Sequence, residues 1–154
     1  MRPIRTAAKA IIIRNGSILV QENLDDEGPW FLIPGGGQEP GESLHAALQR
    51  ECVEEIGTKV EIGELRFVRD YIAEHHEFAA FEPDVHQIEL MFACAVPDNY
   101  EPAKGHTPDT RQIGVCWLPL QELPRHRFYP RALVPHLLDA AESANGVIYL
   151  GDVN

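Results

Sequence analysis

The chain has 154 residues, the usual length of one domain, and 44% of them are hydrophobic, which is enough for a single core. Its 24 acidic residues outnumber its 13 basic residues, so the formal net charge is −11. A field of this sign repels nucleic-acid backbones and anionic membranes, and an anionic small molecule would need local cations, either basic side chains or metal ions, to hold it.

The composition favours an intracellular protein. No apolar run is long enough to span a membrane, and the first residues lack a signal-peptide cleavage pattern. The three cysteines stand singly, which argues against a disulfide framework and against a zinc site. We therefore expect one domain over residues 1–154 in a reducing cytoplasm, with neither a nucleic-acid nor a membrane partner.

The first part of the chain predicts a hairpin, a glycine-rich loop and a helix. Two apolar runs flank Asn15-Gly16, the strongest short signal for a β-hairpin. A short apolar strand, WFLIP, ends at Pro34 and leads into the loop GGGQEPGE. A helix is expected from Ser43, its N-cap, to Ile56, with Gly57 closing it.

The rest of the chain alternates further strands with a second helix. The predicted strands are KVEIGELRFVRDYIA, VHQIELMFACAV, IGVCWLPL and a short VIYL, and the predicted helix is YPRALVPHLLDAAESANG. Because strands and helices interleave, we expect an α/β or α+β protein with a mixed sheet between helices.

The first helix carries an unusual group of carboxylates. Successive helical residues are separated by 100°, so Glu51 and Glu55 project from the apolar side of the helix and Glu54 lies at its border. A solvated acidic face is the ordinary interpretation of a Glu-rich helix. It fits poorly here, because only Arg50 is close and the acids lie near the C-terminal end, where the macrodipole disfavours negative charge. Mg²⁺, which prefers oxygen ligands and commonly bridges carboxylates to phosphates, explains the group better.

The glycines before the helix are compatible with that interpretation. Residues 35–37 permit close backbone approach, and a carbonyl there would complete a coordination shell. A tight strand-to-helix turn is an equally good explanation, and the two do not conflict. The loop is neither a P-loop nor a dinucleotide-binding fingerprint.

These residues resemble the Nudix box, G-x5-E-x7-R-E-U-x-E-E-x-G-U, in which U is a bulky apolar residue. The matching positions are Gly36, Glu42, Arg50, Glu51, Glu54, Glu55 and Gly57. Cys52 and Thr58 depart from the pattern, but both stand at packing positions. WFLIPGGG and VCWLPLQEL extend the similarity more loosely, so the resemblance implies a Nudix-type α/β/α sandwich over nearly the whole chain.

The resemblance also implies a reaction. The family mostly hydrolyses compounds that contain a nucleoside diphosphate linked to another group, with water attacking phosphorus and Mg²⁺ or Mn²⁺ assisting. By position, Glu51, Glu54 and Glu55 would bind the metal together with the Gly36 carbonyl. Arg50 would bind Glu42 or orient the glutamates. Homodimers are common in the family.

One carboxylate must accept the proton of the attacking water, and our first choice is Glu54 because it lies at the border of the apolar side of the first helix. Many family members carry another glutamate ahead of the strand that contains the tryptophan, here IGVCWLPL, and this chain has Gln112 at that place. The alternatives to a base within the box are Asp109, Glu101 and Glu89.

Several residues are candidates for contact with the substrate. Arg5 and Lys9 stand at the start of the first strand, where they would meet phosphate or be ordinary surface charges. Trp30 and Phe31 would stack on a base, although core packing is expected for at least one of them.

A His-rich and aromatic loop, HHEFAAFEPDVHQ, is a further candidate specificity element. His86 and Gln87, at the strand entrance, are our preferred pair for ligand contact.

The sequence leaves three functions open. A nucleoside diphosphate derivative such as ADP-ribose is the expected substrate, and a nucleoside triphosphate, oxidised or not, is the alternative within the enzyme class. A module that senses a nucleotide without cleaving it is the alternative outside that class. Such a module would be expected to have lost box glutamates, whereas this chain retains them all.

Overall fold

The computed structural model describes residues 2–105, 111–139 and 146–154. Strand β1 (Ile4–Arg14) and strand β2 (Ser17–Asp25) form the predicted hairpin. Asn15 and Gly16 have φ angles of 52° and 75°. A two-residue turn of this kind requires positive φ at both positions, which explains why the Asn-Gly pair predicts it correctly.

Seven further strands join this hairpin among the described residues. They are β3 (Gly28–Leu32), β4 (Gly35–Gly37), β5 (Glu61–Ile72), β6 (His86–Ala95), β7 (Gln112–Pro119), β8 (Phe128–Tyr129) and β9 (Tyr149–Asp152). Their spatial order is β8-β3-β2-β1-β6-β5-β9, with β4 paired to β1 and β7 paired to β2. Since β1 pairs parallel with β6 and antiparallel with β2, the sheet is mixed, and the predicted α/β class is confirmed.

Helix α1 (Leu44–Ile56) has the predicted bounds. The side chain of Ser43 accepts a hydrogen bond of 3.1 Å from the Ala46 amide, and Gly57 ends the helix in the left-handed conformation. The helix packs on one face of the sheet through a buried apolar cluster. This cluster includes Ala8, Ala10, Ile12, Leu48, Cys52, Ile56 and Phe92.

The other face of the sheet carries a second apolar cluster, which short C-terminal segments cover. These are the 3₁₀ turns Leu120–Arg125 and Arg131–Leu133 and the helix α2 (Val134–Leu138). The cluster contains Ile11, Phe67, Met91, Phe128 and Leu133. The two layers therefore hold the sheet between them, as in the predicted sandwich.

The prediction of one long second helix over residues 129–146 is wrong in the described part. Tyr129 belongs to strand β8, and α2 ends at Leu138 because Asp139 is extended (φ −109°, ψ 111°). Prolines at 130 and 135 lack the amide that an uninterrupted helix would need, so apolar spacing alone misled the prediction. Residues 140–145 of that prediction lie outside the described residues.

Strand β9 pairs parallel with β5 and fixes the loop that precedes β6. Asp152 accepts from the Ile72 amide at 3.0 Å, and its oxygens lie 2.6 Å from His75 Nδ1 and 2.7 Å from His76 Nε2. Burial acts to raise the pKa of Asp152, but these hydrogen bonds outweigh it and lower the pKa to about 2. The His-rich loop is thereby tied to the sheet at its start.

None of the helices in the described ranges is long and apolar enough to cross a membrane.

Candidate active site

The glycine strand β4 lies unusually close to β1. Gly35 has a φ of +127°, and a Cβ built there would lie 2.2 Å from the Ala8 carbonyl oxygen. Only glycine fits such a position, because any side chain would be strained and would collide with backbone. This close pairing brings Gly36 to the side of α1.

Gly36 lies directly against the carboxylate of Glu51. A Cβ built on Gly36 would be 2.6 Å from Glu51 Cδ and 2.7 Å from its Oε2. The absence of a side chain at Gly36 therefore creates the space that the Glu51 carboxylate occupies. A main-chain segment and a carboxylate, both oxygen-bearing, face each other at this point.

Arg50 joins the carboxylates of the helix to the loop that precedes it. Its Nη2 donates to Glu42 Oε1 at 2.6 Å and to the Gly37 carbonyl at 2.9 Å, and its Nη1 donates to Glu51 Oε1 at 2.9 Å. Glu54 Oε2 lies 3.5 Å from the same Nη1. The hydrogen bond from Arg50 is the main reason that the pKa of Glu42 is lowered. Arg50 thus binds both Glu42 and Glu51, and its role in orienting the glutamates stays a prediction.

Glu55 behaves differently from its neighbours. Its side chain is buried, and its Oε2 accepts hydrogen bonds from Gln21 Nε2 and from the Gly35 amide, the latter at 2.9 Å. Its backbone carbonyl accepts from Gln112 Nε2 at 2.9 Å. The three helix glutamates therefore do not project equally from the surface, since Glu55 points into the protein. Gln21 and Gln112 were not assigned these contacts from sequence.

The donor chemistry of this site fits a hard divalent cation. Carboxylates of Glu51 and Glu54 and main-chain oxygens of the glycine loop are the ligand types that Mg²⁺ and Mn²⁺ prefer. The gap at Gly36 keeps the space beside Glu51 clear of any side chain. Within the described residues, no group of three His, Cys, Asp or Glu side chains is already arranged around one point. Arg50 contacts both Glu51 and Glu54 instead.

The candidate bases differ in access to solvent. The side chain of Glu54 is 35% exposed, against 16% for Glu51. Glu89 is buried, and its two oxygens accept from Arg69 Nε at 2.7 Å and from Gln87 Nε2 at 3.0 Å. Glu101 is exposed, and Asp109 lies outside the described residues.

Arg5 and Gln87 are brought together, but His86 is not. Arg5 pairs with Gln87 in the β1–β6 register, so both side chains lie on the same face of the sheet. Arg5 Nη2 borders the glycine strand, 2.8 Å from where a Cβ of Gly37 would be. His86 projects from the opposite face and lies 2.9 Å from Asp70 Oδ1. The expected His86–Gln87 pair is therefore split across the sheet.

Trp30 lies in an aromatic cluster rather than alone. Its ring centroid is 5.7 Å from that of Phe78 and 6.3 Å from that of Tyr129, whose hydroxyl donates to Glu77 Oε2 at 3.0 Å. The indole Nε1 of Trp30 is buried and has no hydrogen-bond partner among the described residues.

Beside this cluster is a cavity of about 590 Å³ that the sequence did not reveal. Its walls come from the β2–β3 turn (residues 24–27), from Trp30, from the loop around Phe78 and Phe81, and from Arg111 and Arg127. Arg127 is fixed by two hydrogen bonds of 2.9 Å to Asp25. Each of these segments is visible in the sequence, but nothing local indicates that they meet.

Comparison with known proteins finds a matching family model and similar proteins of named function. The model of the NUDIX domain matches residues 3–137. The nucleoside triphosphatase NudI of Enterobacter sp. (strain 638) is 34% identical over 95 residues, which cover 58% of this chain and 67% of that protein. NudI of Escherichia coli K12 is 32% identical over 96 residues, with the same coverage.

Solved structures share the fold. A NUDIX hydrolase from Nitrosomonas europaea has a TM-score of 0.69 at 20% identity, over 96% of this chain and 93% of that one. The ORF135 protein of E. coli has a TM-score of 0.58 at 25% identity, over 88% and 87%.

Proposed function

The chain belongs to the NUDIX family, and we propose that it hydrolyses a phosphoanhydride bond in a nucleoside di- or triphosphate derivative. The observation that carries this proposal is the contact between Gly36 and the Glu51 carboxylate, with Arg50 holding that carboxylate in place. A solvated acidic surface would not require glycine at this position, whereas here the missing side chain of Gly36 leaves the space that the Glu51 carboxylate occupies.

We assign the metal ligands to Glu51, Glu54, Glu55 and the Gly36 carbonyl. Glu55 is the anchored member of this set, since Gln21 and the Gly35 amide already hold one of its oxygens. A bound Mg²⁺ or Mn²⁺ supplies charge neutralisation at the phosphates and lowers the pKa of water toward about 7 in the most favourable sites.

The remaining steps fall to side chains. Glu54 accepts the proton of the attacking water, because it is the most exposed of the three helix glutamates and a base must be reachable by water. Arg50 contacts both Glu51 and Glu54 and holds their carboxylates close to each other. Arg5, at the edge of the glycine strand, binds a phosphate oxygen of the substrate.

Our first candidate substrate is a nucleoside triphosphate, cleaved to the monophosphate and pyrophosphate. The support is that relatives with 31–34% identity are named nucleoside triphosphatases. This order differs from the sequence-based expectation, in which an ADP-ribose-like compound came first.

A nucleoside diphosphate linked to a second group remains the other candidate. The observation that favours it is the cavity of about 590 Å³ beside Trp30, which has room for a second ring system. We assign Trp30 to ring stacking in that cavity. Neither Gln87 nor His86 is among the described residues that line it, and Gln87 stays a candidate for substrate contact beside Arg5.

Product identification tests the proposal. The purified protein is incubated with Mg²⁺ and with nucleoside triphosphates, ADP-ribose, NADH, nucleotide sugars and CDP-choline in parallel. We expect a monophosphate and pyrophosphate from a triphosphate, or a monophosphate and a sugar phosphate from ADP-ribose. Chelator should abolish both reactions, and metal-independent cleavage would contradict the mechanism.

A matched pair of variants tests the role of Glu54. Glu54→Gln should abolish turnover with the fold intact, whereas Glu61→Gln, the same change at an exposed glutamate on β5, should leave turnover unchanged. Unchanged turnover in Glu54→Gln would refute the assigned base.

A further inference from the structure

Lys9 is a buried lysine whose charge the proposed reaction has not used. Only 9% of it is exposed, and it lies on β1 between Gly35 of β4 and Met91 of β6. Its Nζ donates to the Gly35 carbonyl oxygen at 3.2 Å. Burying an ammonium group costs free energy unless it is hydrogen-bonded, and the Gly35 carbonyl oxygen supplies that hydrogen bond.

Gly35, whose carbonyl binds Lys9, is also held through its amide. The Gly35 amide donates to Glu55 Oε2 at 2.9 Å, and Gln21 Nε2 donates to the same oxygen. Gly35 is therefore fixed through its amide by α1 and through its carbonyl by β1. Gly36 follows immediately, so its position depends on both bonds.

Charge neutralisation alone does not explain Lys9. Glu89 is one acid that the charge of Lys9 influences, but Glu89 has its own partners in Arg69 and Gln87. Among the described residues, no carboxylate oxygen lies within 4.0 Å of Lys9 Nζ. Within the described part of the chain, the Lys9 side chain makes one hydrogen bond, from Nζ to the Gly35 carbonyl oxygen of the glycine strand.

We propose that Lys9 is a positioning residue, which holds the Gly35 carbonyl and thereby keeps Gly36 against the Glu51 carboxylate. This inference rests on the proposed function only for the identity of the ligand at that site, a divalent cation. Lys9 itself does not touch the cation or the substrate. It acts through the Gly35 carbonyl and adds one more restraint to a glycine strand that pairs with β1 and is held at the Gly35 amide by Glu55.

The experiment compares Lys9→Met with Lys59→Met, an identical change at an exposed lysine. Mn²⁺ binding to each protein without substrate is measured by electron paramagnetic resonance. We expect Lys9→Met to bind Mn²⁺ about 10- to 100-fold more weakly than wild type, the usual loss when a residue behind a metal ligand is removed. Lys59→Met should bind as wild type does.

A double variant separates positioning from charge. In Lys9→Met/Glu89→Gln the acid near Lys9 is neutralised too, so any cost of leaving Glu89 without Lys9 is relieved. We expect its Mn²⁺ binding to stay about 10- to 100-fold weaker than that of Glu89→Gln alone, because the bond to Gly35 is still missing. Recovery of wild-type affinity in the double variant, or wild-type affinity in Lys9→Met, would overturn the proposal. If Lys9→Met fails to fold, the double variant is compared directly with Glu89→Gln.

A metal-free measurement keeps this inference distinct from the proposed function. Hydrogen exchange of the Gly35 and Gly36 amides is followed by NMR in wild type, Lys9→Met and Lys59→Met. Exchange should be about tenfold faster in Lys9→Met than in Lys59→Met, because a hydrogen bond that restrains the loop has been lost. If wild type binds no Mn²⁺, the proposed function fails, but faster exchange still supports the role of Lys9. Unchanged exchange would refute that role.

Discussion

Replacing Gly36 by alanine should damage the site while sparing the fold. The new Cβ would lie 2.6 Å from Glu51 Cδ, where ordinary contact begins near 3.4 Å, so the carboxylate must move by about 0.8 Å. The group that must move is the end of a flexible side chain, and Gly36 is not among the glycines with positive φ. We therefore expect the free energy of unfolding to change by less than about 1 kcal/mol.

Turnover should respond much more strongly. A displacement approaching 1 Å at a catalytic group can cost about 100-fold in rate, and that is the loss we expect in kcat. Steady-state kinetics with the best substrate, together with urea denaturation, measure the two effects separately. Wild-type kcat in a folded Gly36→Ala protein would refute the placement of Glu51 in the site.

The neighbouring glycine supplies the contrast. In Gly35→Ala the Cβ would lie 2.2 Å from the Ala8 carbonyl oxygen, at a φ of +127°, so backbone rather than a side chain must give way. We expect destabilisation of about 2–6 kcal/mol, with lower yield of folded protein. Equal stability of the two variants would contradict the close pairing of β1 and β4.

Three further predictions concern the charged side chains. Arg50→Met removes the donors that orient Glu51, so kcat should fall by about 100-fold, and a change under twofold in steady-state kinetics would contradict that role. Arg69→Met leaves Glu89 buried without its ion-pair partner, which should cost about 3–5 kcal/mol in urea denaturation, and Arg69→Met/Glu89→Leu should recover most of it. The pKa of Asp152 is lowered from 3.8 to about 2 in the folded state, so its stabilisation is present above pH 3.8 and is lost as the pH falls toward 2. It amounts to about 1 kcal/mol after solvent screening, and wild type should lose more stability than Asp152→Asn across that range in acid-unfolding curves.

Local features of the chain were predictable because their causes are local. The Asn15-Gly16 turn and both ends of α1 depend on positive φ or on a capping side chain a few residues away. The fold class followed from the order of strands and helices. The matching box residues then indicated where a candidate site lies, and Arg50 contacts Glu42 and Glu51 there.

The remaining features depend on contacts between distant segments. The inward turn of Glu55 requires Gln21, a residue 34 positions away on β2. The cavity beside Trp30 is formed by segments that meet only in the folded sheet. The prediction of a long second helix was wrong at its start because Tyr129 pairs with Leu32 in the sheet, a contact that the local apolar spacing does not reveal.

Lys9 is the clearest case of a role that sequence could not assign. Its position on the first strand suggested phosphate contact or ordinary surface charge. The register places it instead opposite Gly35, where it is buried and hydrogen-bonded to the glycine strand. That register depends on β4, a three-residue glycine strand that has no pattern of its own.

The most direct test of the central claim is the fate of the oxygen from water. The best substrate in the panel is hydrolysed in ¹⁸O-labelled water with Mg²⁺, and the products are examined by mass spectrometry and ³¹P NMR. Attack of water on phosphorus predicts one ¹⁸O atom in a phosphoryl group of a single product, and no label without metal. Label on a carbon atom of the sugar or the base would contradict the account, as would turnover that persists in Glu51→Gln.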